Sequence, residues 1–249
     1  EYFGFDEETL SRLKYASRMV AKVDSAAVQD GFDLYLHVMI VSEDGEWVII
    51  QQGVKPANLV RRYHWISMNL RSFVEEPHSG IVSVERENLV LDMTDRESAE
   101  ARKTSVEAVN EDLNSLRRLL YRIPSSQSTL IEFDAREERR CPFEVPKVKW
   151  STILMVNKNS PRDFEELLSL RGVGPAMIRF LAAASIELYG VYPSLSDPAM
   201  LFREIPSRKA EDKWLYELID AIKSSNLNLI EKKKAINRLS NVFQSLEAS

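Results

Sequence analysis

Phe32-Asp-Leu-Tyr-Leu-His-Val-Met-Ile-Val-Ser-Glu-Asp44-Gly45-Glu46-Trp-Val-Ile-Ile-Gln-Gln52 decides the reading of the fold. Phe32, Leu34, Leu36, Val38 and Ile40 alternate with Asp33, Tyr35, His37 and Met39, the period of two that belongs to a β-strand. Asp44-Gly45 has the composition of a two-residue hairpin turn, so Glu46–Gln52 is expected to return as the second strand. With those two residues at the centre of the turn, His37 stands opposite Gln52 and Val38 opposite Gln51. The face bearing Phe32, Leu34, Leu36, Val38 and Ile40 is then the core face, and His37 and Gln52 project together from the other.

Outward from this hairpin the pattern changes twice. Upstream, Glu7–Asp30 reads as a helix, with Leu10, Leu13, Ala16, Met19, Val20 and Val23 at helical spacing and Gly31 as its stop. Downstream, Gly53–Leu59 reads as loop, Val60–Met68 as a third strand or a short helix, and Ile81–Glu85 as a strand ahead of the apolar patch Leu89–Met93. From Glu97 the period becomes helical. Ser98–Arg122 carries Val106, Val109, Leu113, Leu116, Leu119 and Leu120 on one side of a long helix. Pro124–Ser128 is linker-like, and Asp134–Pro146 is charged and proline-containing. Trp150–Val156, a helical pair around Gly172, Glu211–Ser224 and Leu229–Leu246 complete a helical block. The expected class is α+β: an α/β part with a small hairpin-based sheet over residues 1–95, a long helix and linker over 96–146, and an all-helical part over 147–249.

Composition bounds the function. Hydrophobic residues make up 44% and charged residues 29% of 249, ordinary for a globular chain, and no apolar run is long enough for a bilayer. A single cysteine, Cys141, excludes an internal disulfide and a cysteine-based zinc site, so a reducing, cytoplasmic setting is expected. The sequence starts at Glu1 without a methionine and is read as a fragment or a processed chain. The net charge of −5 is unevenly spread. Residues 147–249 hold 15 Lys+Arg against 12 Asp+Glu, and residues 1–146 hold 18 against 26. Phosphate binding in the basic half therefore has to come from local geometry rather than from a strong overall field.

That geometry is written in Phe164-Glu-Glu-Leu167-Leu168-Ser-Leu170-Arg171-Gly172-Val173-Gly174-Pro175-Ala176-Met-Ile178-Arg179. Ser160-Pro161 reads as a capped helix start, Gly172-Val173-Gly174 as a very short connection, and Pro175 as the first residue of a second helix. Glycines leave no Cβ in the way of a ligand. The amides around Gly172, Gly174 and Ala176 face outward at the positive end of a helix dipole and form a cradle for a phosphodiester oxygen. Val173 is expected between the helices, with Arg171 and Arg179 adding charge. This segment resembles the helix-hairpin-helix family of DNA-binding proteins over about 25 residues. The resemblance implies sequence-independent contact with the DNA backbone.

Chemistry is expected in the acidic half. Asp24, Asp30, His37, Gln52, His64 and His78 are the candidate catalytic residues, because carboxylates, imidazoles and a strand glutamine hold Mg²⁺ or Mn²⁺ and position a water for attack on phosphorus. Asp30 and His37 are the candidate metal ligands, and Arg61 and Arg62 the candidate phosphate clamp. The first reading is a metal-dependent nuclease. A second comes from the resemblance to helix-hairpin-helix DNA glycosylases, which implies a catalytic aspartate some residues after the hairpin. Asp197 lies 25 residues beyond Gly172. The lysine of bifunctional members falls near Ala176, so a Schiff-base lyase is disfavoured, and Ser196-Asp197-Pro198 also reads as a plain helix start. A third reading is a non-catalytic adaptor whose acidic N-terminal half docks a protein partner. Tyr15–Lys22, Val23–Gly31, Trp47–Gly53, Arg61–Ser67, Phe73–Ile81 and Glu97–Lys103, together with the hairpin, resemble an uncharacterised, largely archaeal prokaryotic family that ends in a helix-hairpin-helix. Its members usually have a further N-terminal region, and the segment after Asp197 is shorter here than is typical of them.

Overall fold

The computed structural model describes residues 4–56, 59–122, 141–201, 220, 222–224, 228 and 232–235. The linker at Pro124–Ser128, the first part of the charged segment before Pro146, and most of the expected helices at Glu211–Ser224 and Leu229–Leu246 lie outside the described residues. Two units are distinguished, Glu1–Leu201 and Phe202–Ser249.

Helix α1 (Glu7–Lys22) starts where Asp6 accepts the Thr9 amide at 2.7 Å, and it buries Leu13, Ala16, Met19 and Val20. It does not run on to Asp30. The chain widens into a π-helical turn, Val23–Ala27, which carries the buried Asp24, and then extends as strand β1 (Val28–Gln29). Gly31, at φ +81°, turns the chain into the main sheet. That sheet contains β2 (Asp33–Val41), β3 (Trp47–Lys55), β4 (Leu59–Ile66), β5 (Gly80–Ser83) and β7 (Met200–Leu201), in the order β2-β3-β4-β5-β7. All neighbours are antiparallel except β5 and β7. Strand β1 pairs instead with β6 (Leu91–Asp92), setting Val28 opposite Asp92. The fold is α+β.

The hairpin register differs from expectation by one residue, for a definable reason. Ser42 donates its amide to Glu46 O at 2.8 Å, and Gly45, at φ +84°, donates to Ser42 O at 3.0 Å. The turn therefore spans Glu43, Asp44 and Gly45 rather than two residues. His37 consequently stands opposite Gln51, not Gln52, and Val38 opposite Ile50. A register shift at Tyr35 then exchanges the faces of the first strand. Phe32 is buried, whereas Leu36, Val38 and Ile40 are exposed and His37 points beneath the sheet toward α1. The segment around Gly53–Leu59 is strand on both sides of a short connection rather than loop.

Helices α2 (Ala99–Glu111) and α3 (Leu113–Arg122) replace the single long helix, with Asp112 at φ −125° and ψ 48° between them. Helix α4 covers Trp150–Asn159 and ends on Ser160, so Ser160 closes one helix instead of opening the next. Helix α5 (Phe164–Ser169) begins at Asp163, whose side chain accepts the Glu166 amide. Helix α6 (Pro175–Ala184) continues as a π-helical turn, Ser185–Tyr189. Residues on either side of position 95 share one hydrophobic core: Met19, Ile49, Trp65 and Met93 belong to the same cluster as Leu116, Leu167, Ile178 and Phe180.

Candidate functional site

Helices α5 and α6 meet at Leu170–Gly174. Gly172 adopts φ +87°, a conformation glycine takes without strain, and Val173 is buried between the helices. The ammonium of Lys22, from the last turn of α1, donates to the carbonyls of Leu168, Leu170 and Val173. In a trans peptide N–H and C=O point opposite ways, so the amides of Arg171 and Gly174, which share peptides with the Leu170 and Val173 carbonyls, face away from Lys22. Among the described residues the amides of Gly172 and Gly174 have no hydrogen-bond partner. No side chain caps α6, and a Cβ built on Gly174 meets nothing within 4 Å. Arg171 is exposed, as is Ala176. Arg179 is engaged: its Nε donates to Gln29 Oε1 at 2.7 Å and its guanidinium lies over the Phe143 ring.

A second feature lies under the sheet. Along β3 and β4 the inward positions include Gln51, Arg61, Tyr63 and Trp65, whose polar ends all reach aspartates in the segment between α1 and β2. Asp24 accepts from the Gln51 amide, from Trp65 Nε1 at 3.1 Å and from His78 Nε2 at 2.6 Å. The Gln51 amide group also donates to Val20 O, which fixes its oxygen toward His37 Nδ1 at 2.9 Å; His37 Nε2 in turn meets Ser17 Oγ at 2.9 Å. These partners assign the tautomers. His37 carries its proton on Nδ1, and His78 carries one on Nε2. The Nδ1 of His78 has no hydrogen-bond partner among the described residues, and the ring packs edge-on against Trp65 with centroids 4.5 Å apart.

His78 lines a pocket of about 320 Å³ together with Glu76, Asp92, Thr94, Asp95 and Met200. Asp92 is buried and accepts the Thr94 amide at 2.8 Å and its hydroxyl at 2.6 Å; burial nevertheless raises its carboxyl above the usual range. Arg102 supports this wall by donating to Met93 O, Asp95 O and the Glu75 carboxylate. An imidazole with one nitrogen tied to a buried carboxylate and the other open is arranged to take a proton. The pocket wall is acidic, which opposes a bare anion and favours a neutral group or one that gains positive charge. The β1–β6 ribbon joins the two features, since Asp92 pairs with Val28 and the next residue, Gln29, donates to Pro175 O at 2.9 Å.

The expected site residues divide accordingly. Asp24, His37 and His78 are brought into one hydrogen-bonded chain, with Gln51 as the link where Gln52 was expected. Gln52 and His64 lie on the other face of the sheet, as does the exposed Arg62. Burial lowers the His64 imidazole below its usual value. Arg61 is 0% exposed and cannot clamp a phosphate. It donates to Asp30 at 2.9 Å and to both oxygens of Asp197 at 3.0 and 2.6 Å. Burial works against the Arg61 charge, and the two aspartates more than offset it. Asp30 also accepts from Tyr63 at 2.6 Å, and burial raises its carboxyl. Asp30 and His37 therefore do not fit a Mg²⁺ or Mn²⁺ site: a guanidinium occupies the carboxylate, and the two residues share no partner. Among the described residues no group of three or more His, Cys, Asp or Glu is arranged to hold a metal ion.

Asp197 begins no helix. Its carboxylate accepts from Arg61, the Glu87 amide and the Ala199 amide as the chain enters β7, so it is a fully engaged anchor rather than a free catalytic group. Gln51, Trp65 and Asp92 escaped the sequence reading. The legible signal for Gln51 was its alternation with Trp47 and Ile49, a polar residue in step with core positions. Asp92 sat within an apolar patch and gave no comparable signal.

The chain belongs to the family described as Protein of unknown function (DUF763), which matches residues 1–203. No curated protein and no solved structure matches it. Among the described residues no helix is long and apolar enough to cross a membrane.

Proposed function

We propose that this chain is a cytoplasmic DNA-processing protein that holds the phosphodiester backbone at the α5–α6 hairpin without reading base sequence. The observation carrying this reading is the unpartnered amide pair at Gly172 and Gly174, on an uncapped helix end with open space in front of Gly174. Lys22 turns the neighbouring carbonyls inward, and the exposed Arg171 adds charge beside the amides. The resemblance of the segment to helix-hairpin-helix proteins supports the same assignment.

The test is a binding titration of labelled single-stranded and duplex DNA at rising salt, with the Gly174→Ala variant alongside. The added methyl group enters empty space in the protein but stands where the phosphate oxygen would approach. Binding weakened tenfold or more, with unchanged circular dichroism and melting, is the expected result. Wild-type affinity in Gly174→Ala removes the hairpin as the site.

The chemistry accompanying this grip is hydrolytic in our reading, with His78 as the base and Asp24 as the group that orients it. Backbone cleavage is one outcome. The acidic pocket wall favours a second, base excision, because cleavage of a glycosidic bond develops positive charge on the sugar. End-labelled DNA carrying uracil or no lesion, incubated with Mg²⁺, Mn²⁺ or EDTA, separates them on a denaturing gel. Direct strand breaks that vanish in His78→Ala support the nuclease. Breaks appearing only after alkali treatment of lesion-bearing DNA support base excision. Binding without either product leaves an adaptor.

A further inference from the structure

Strand β2 is an edge of the main sheet: among the described residues it pairs only with β3. Exposed edges in soluble proteins are usually blunted by proline, lysine or a bulge, because their unpaired amides and carbonyls recruit other strands. β2 is nine residues long, Asp-Leu-Tyr-Leu-His-Val-Met-Ile-Val, and contains neither proline nor lysine; its bulge lies near the start, at Tyr35. Beyond the bulge its outward side chains are apolar and open, Leu36 at 39%, Val38 at 40% and Ile40 at 60%. On the opposite face, β2 and α1 enclose a groove of about 680 Å³ whose floor includes Leu13, Leu34 and Met39. The charged residues lining it are Lys14 and Arg18, both exposed, and no carboxylate lines it. That is a local reversal of sign in a half of the chain that holds 26 acidic against 18 basic residues.

We infer that the β2 edge and the α1 groove form a docking site for an extended peptide of a partner protein, one that alternates apolar and acidic side chains and adds to β2 as a further strand. Strand addition supplies partners for the free backbone groups, while alternate side chains of the added strand reach opposite faces. One set covers Leu36, Val38 and Ile40; the other enters the groove, where its carboxylates meet Lys14 and Arg18. The charge pattern selects this occupant over a second copy of the chain. Between Leu34 and Val41 the strand offers no carboxylate, so two copies paired edge to edge leave Lys14 and Arg18 unmatched.

The probe is a fluorescently labelled octapeptide alternating valine and glutamate, titrated into the full chain and followed by polarisation. Two controls accompany it: the same peptide with lysine in place of glutamate, and one with alternate backbone amides N-methylated. Lys14→Glu/Arg18→Glu tests the charge on an exposed helix face, and Ile40→Lys tests the edge at its most exposed position. Saturable binding of the glutamate peptide, at least tenfold weaker for both controls and for each variant, is the expected result. A preference for the lysine peptide in the double variant completes it. Absence of saturable binding, or equal affinity for the N-methylated peptide, overturns the proposal. So does concentration-dependent dimerisation that Ile40→Lys abolishes, because the occupant is then a second copy.

Discussion

Replacing Arg61 by methionine tests the polar cluster that joins three distant parts of the chain. Methionine keeps the length of the side chain and removes the charge. Arg61 is fully buried, and its loss leaves Asp30 and Asp197, both nearly inaccessible, without their cation. Removing one partner of a buried ion pair costs about 3–5 kcal/mol, because the remaining charge stays buried and unpaired. For a chain of this size each kcal/mol lowers the melting temperature by roughly 2–4 °C, so a fall of about 6–20 °C is expected at pH 7. The deficit also acquires a pH dependence with a definite sign. Burial already raises the Asp30 carboxyl, and loss of Arg61 removes a group that holds it down, so above the usual carboxylate value of about 3.9 the native state of the variant binds more protons than the unfolded chain. Stability of the variant then falls as pH rises from about 4 through the raised native value of Asp30, and its gap from wild type narrows toward acid. Thermal melts at pH 5 and pH 8 read this directly. A loss under about 1 kcal/mol, or the same deficit at both pH values, would refute the view that the cluster is an anchored ion network.

Three further expectations follow from single contacts. Asp92→Asn keeps an acceptor for Thr94 while removing a charge that burial disfavours; because the native carboxyl is raised, the variant gains stability relative to wild type as pH rises above about 4, checked by urea midpoints across pH 4–8. Gly53→Ala places a Cβ 2.9 Å from the Cβ of the buried Phe32, and overpacking of this kind costs about 1–3 kcal/mol, measurable by the same midpoints. Lys22→Met strips the donor from three carbonyls at the hairpin; a loss of about 1–3 kcal/mol is expected. Hydrogen exchange confined to α5 and the hairpin is the local readout, and unchanged protection there would count against the clamp.

Much of the fold was legible because period and punctuation agreed. The alternation in β2 and β3 and the glycine-containing connection between α5 and α6 each fixed an element where the structure has one, whereas the glycine at 31 follows a strand rather than stopping a helix. The faces of β2 were not legible. Asp-Gly is compatible with a two-residue turn and with the second half of a three-residue one, and the choice moves every partner by one position. That slip exchanged Gln51 for Gln52, and with it the residue that links His37 to Asp24. Arg61-Arg62 posed the same difficulty. Adjacent strand residues face opposite ways, so one arginine is buried against carboxylates and the other meets solvent, and only long-range pairing decides which. The aspartates at 24 and 30 are both buried and hydrogen-bonded, but their partners lie on other strands, and the second carboxylate on Arg61 comes from residue 197, beyond any local pattern.

The parallel pairing of β7 with β5 carries a consequence for how the molecule comes into being. Strand β5 ends at Ser83, and its neighbour is not synthesised until Met200 and Leu201. During translation four strands of the sheet are therefore complete long before the fifth, and Arg61 awaits Asp197 over the same interval. Contacts of such wide sequence separation must close a long loop before they return any stabilisation, which slows folding. A nascent chain stalled before Asp197 has its first four strands, but the guanidinium beneath them has Asp30 without its second carboxylate. Closure of the sheet thus reports that the ribosome has delivered the helical hairpin as well, since α5 and α6 lie within the loop that β7 seals.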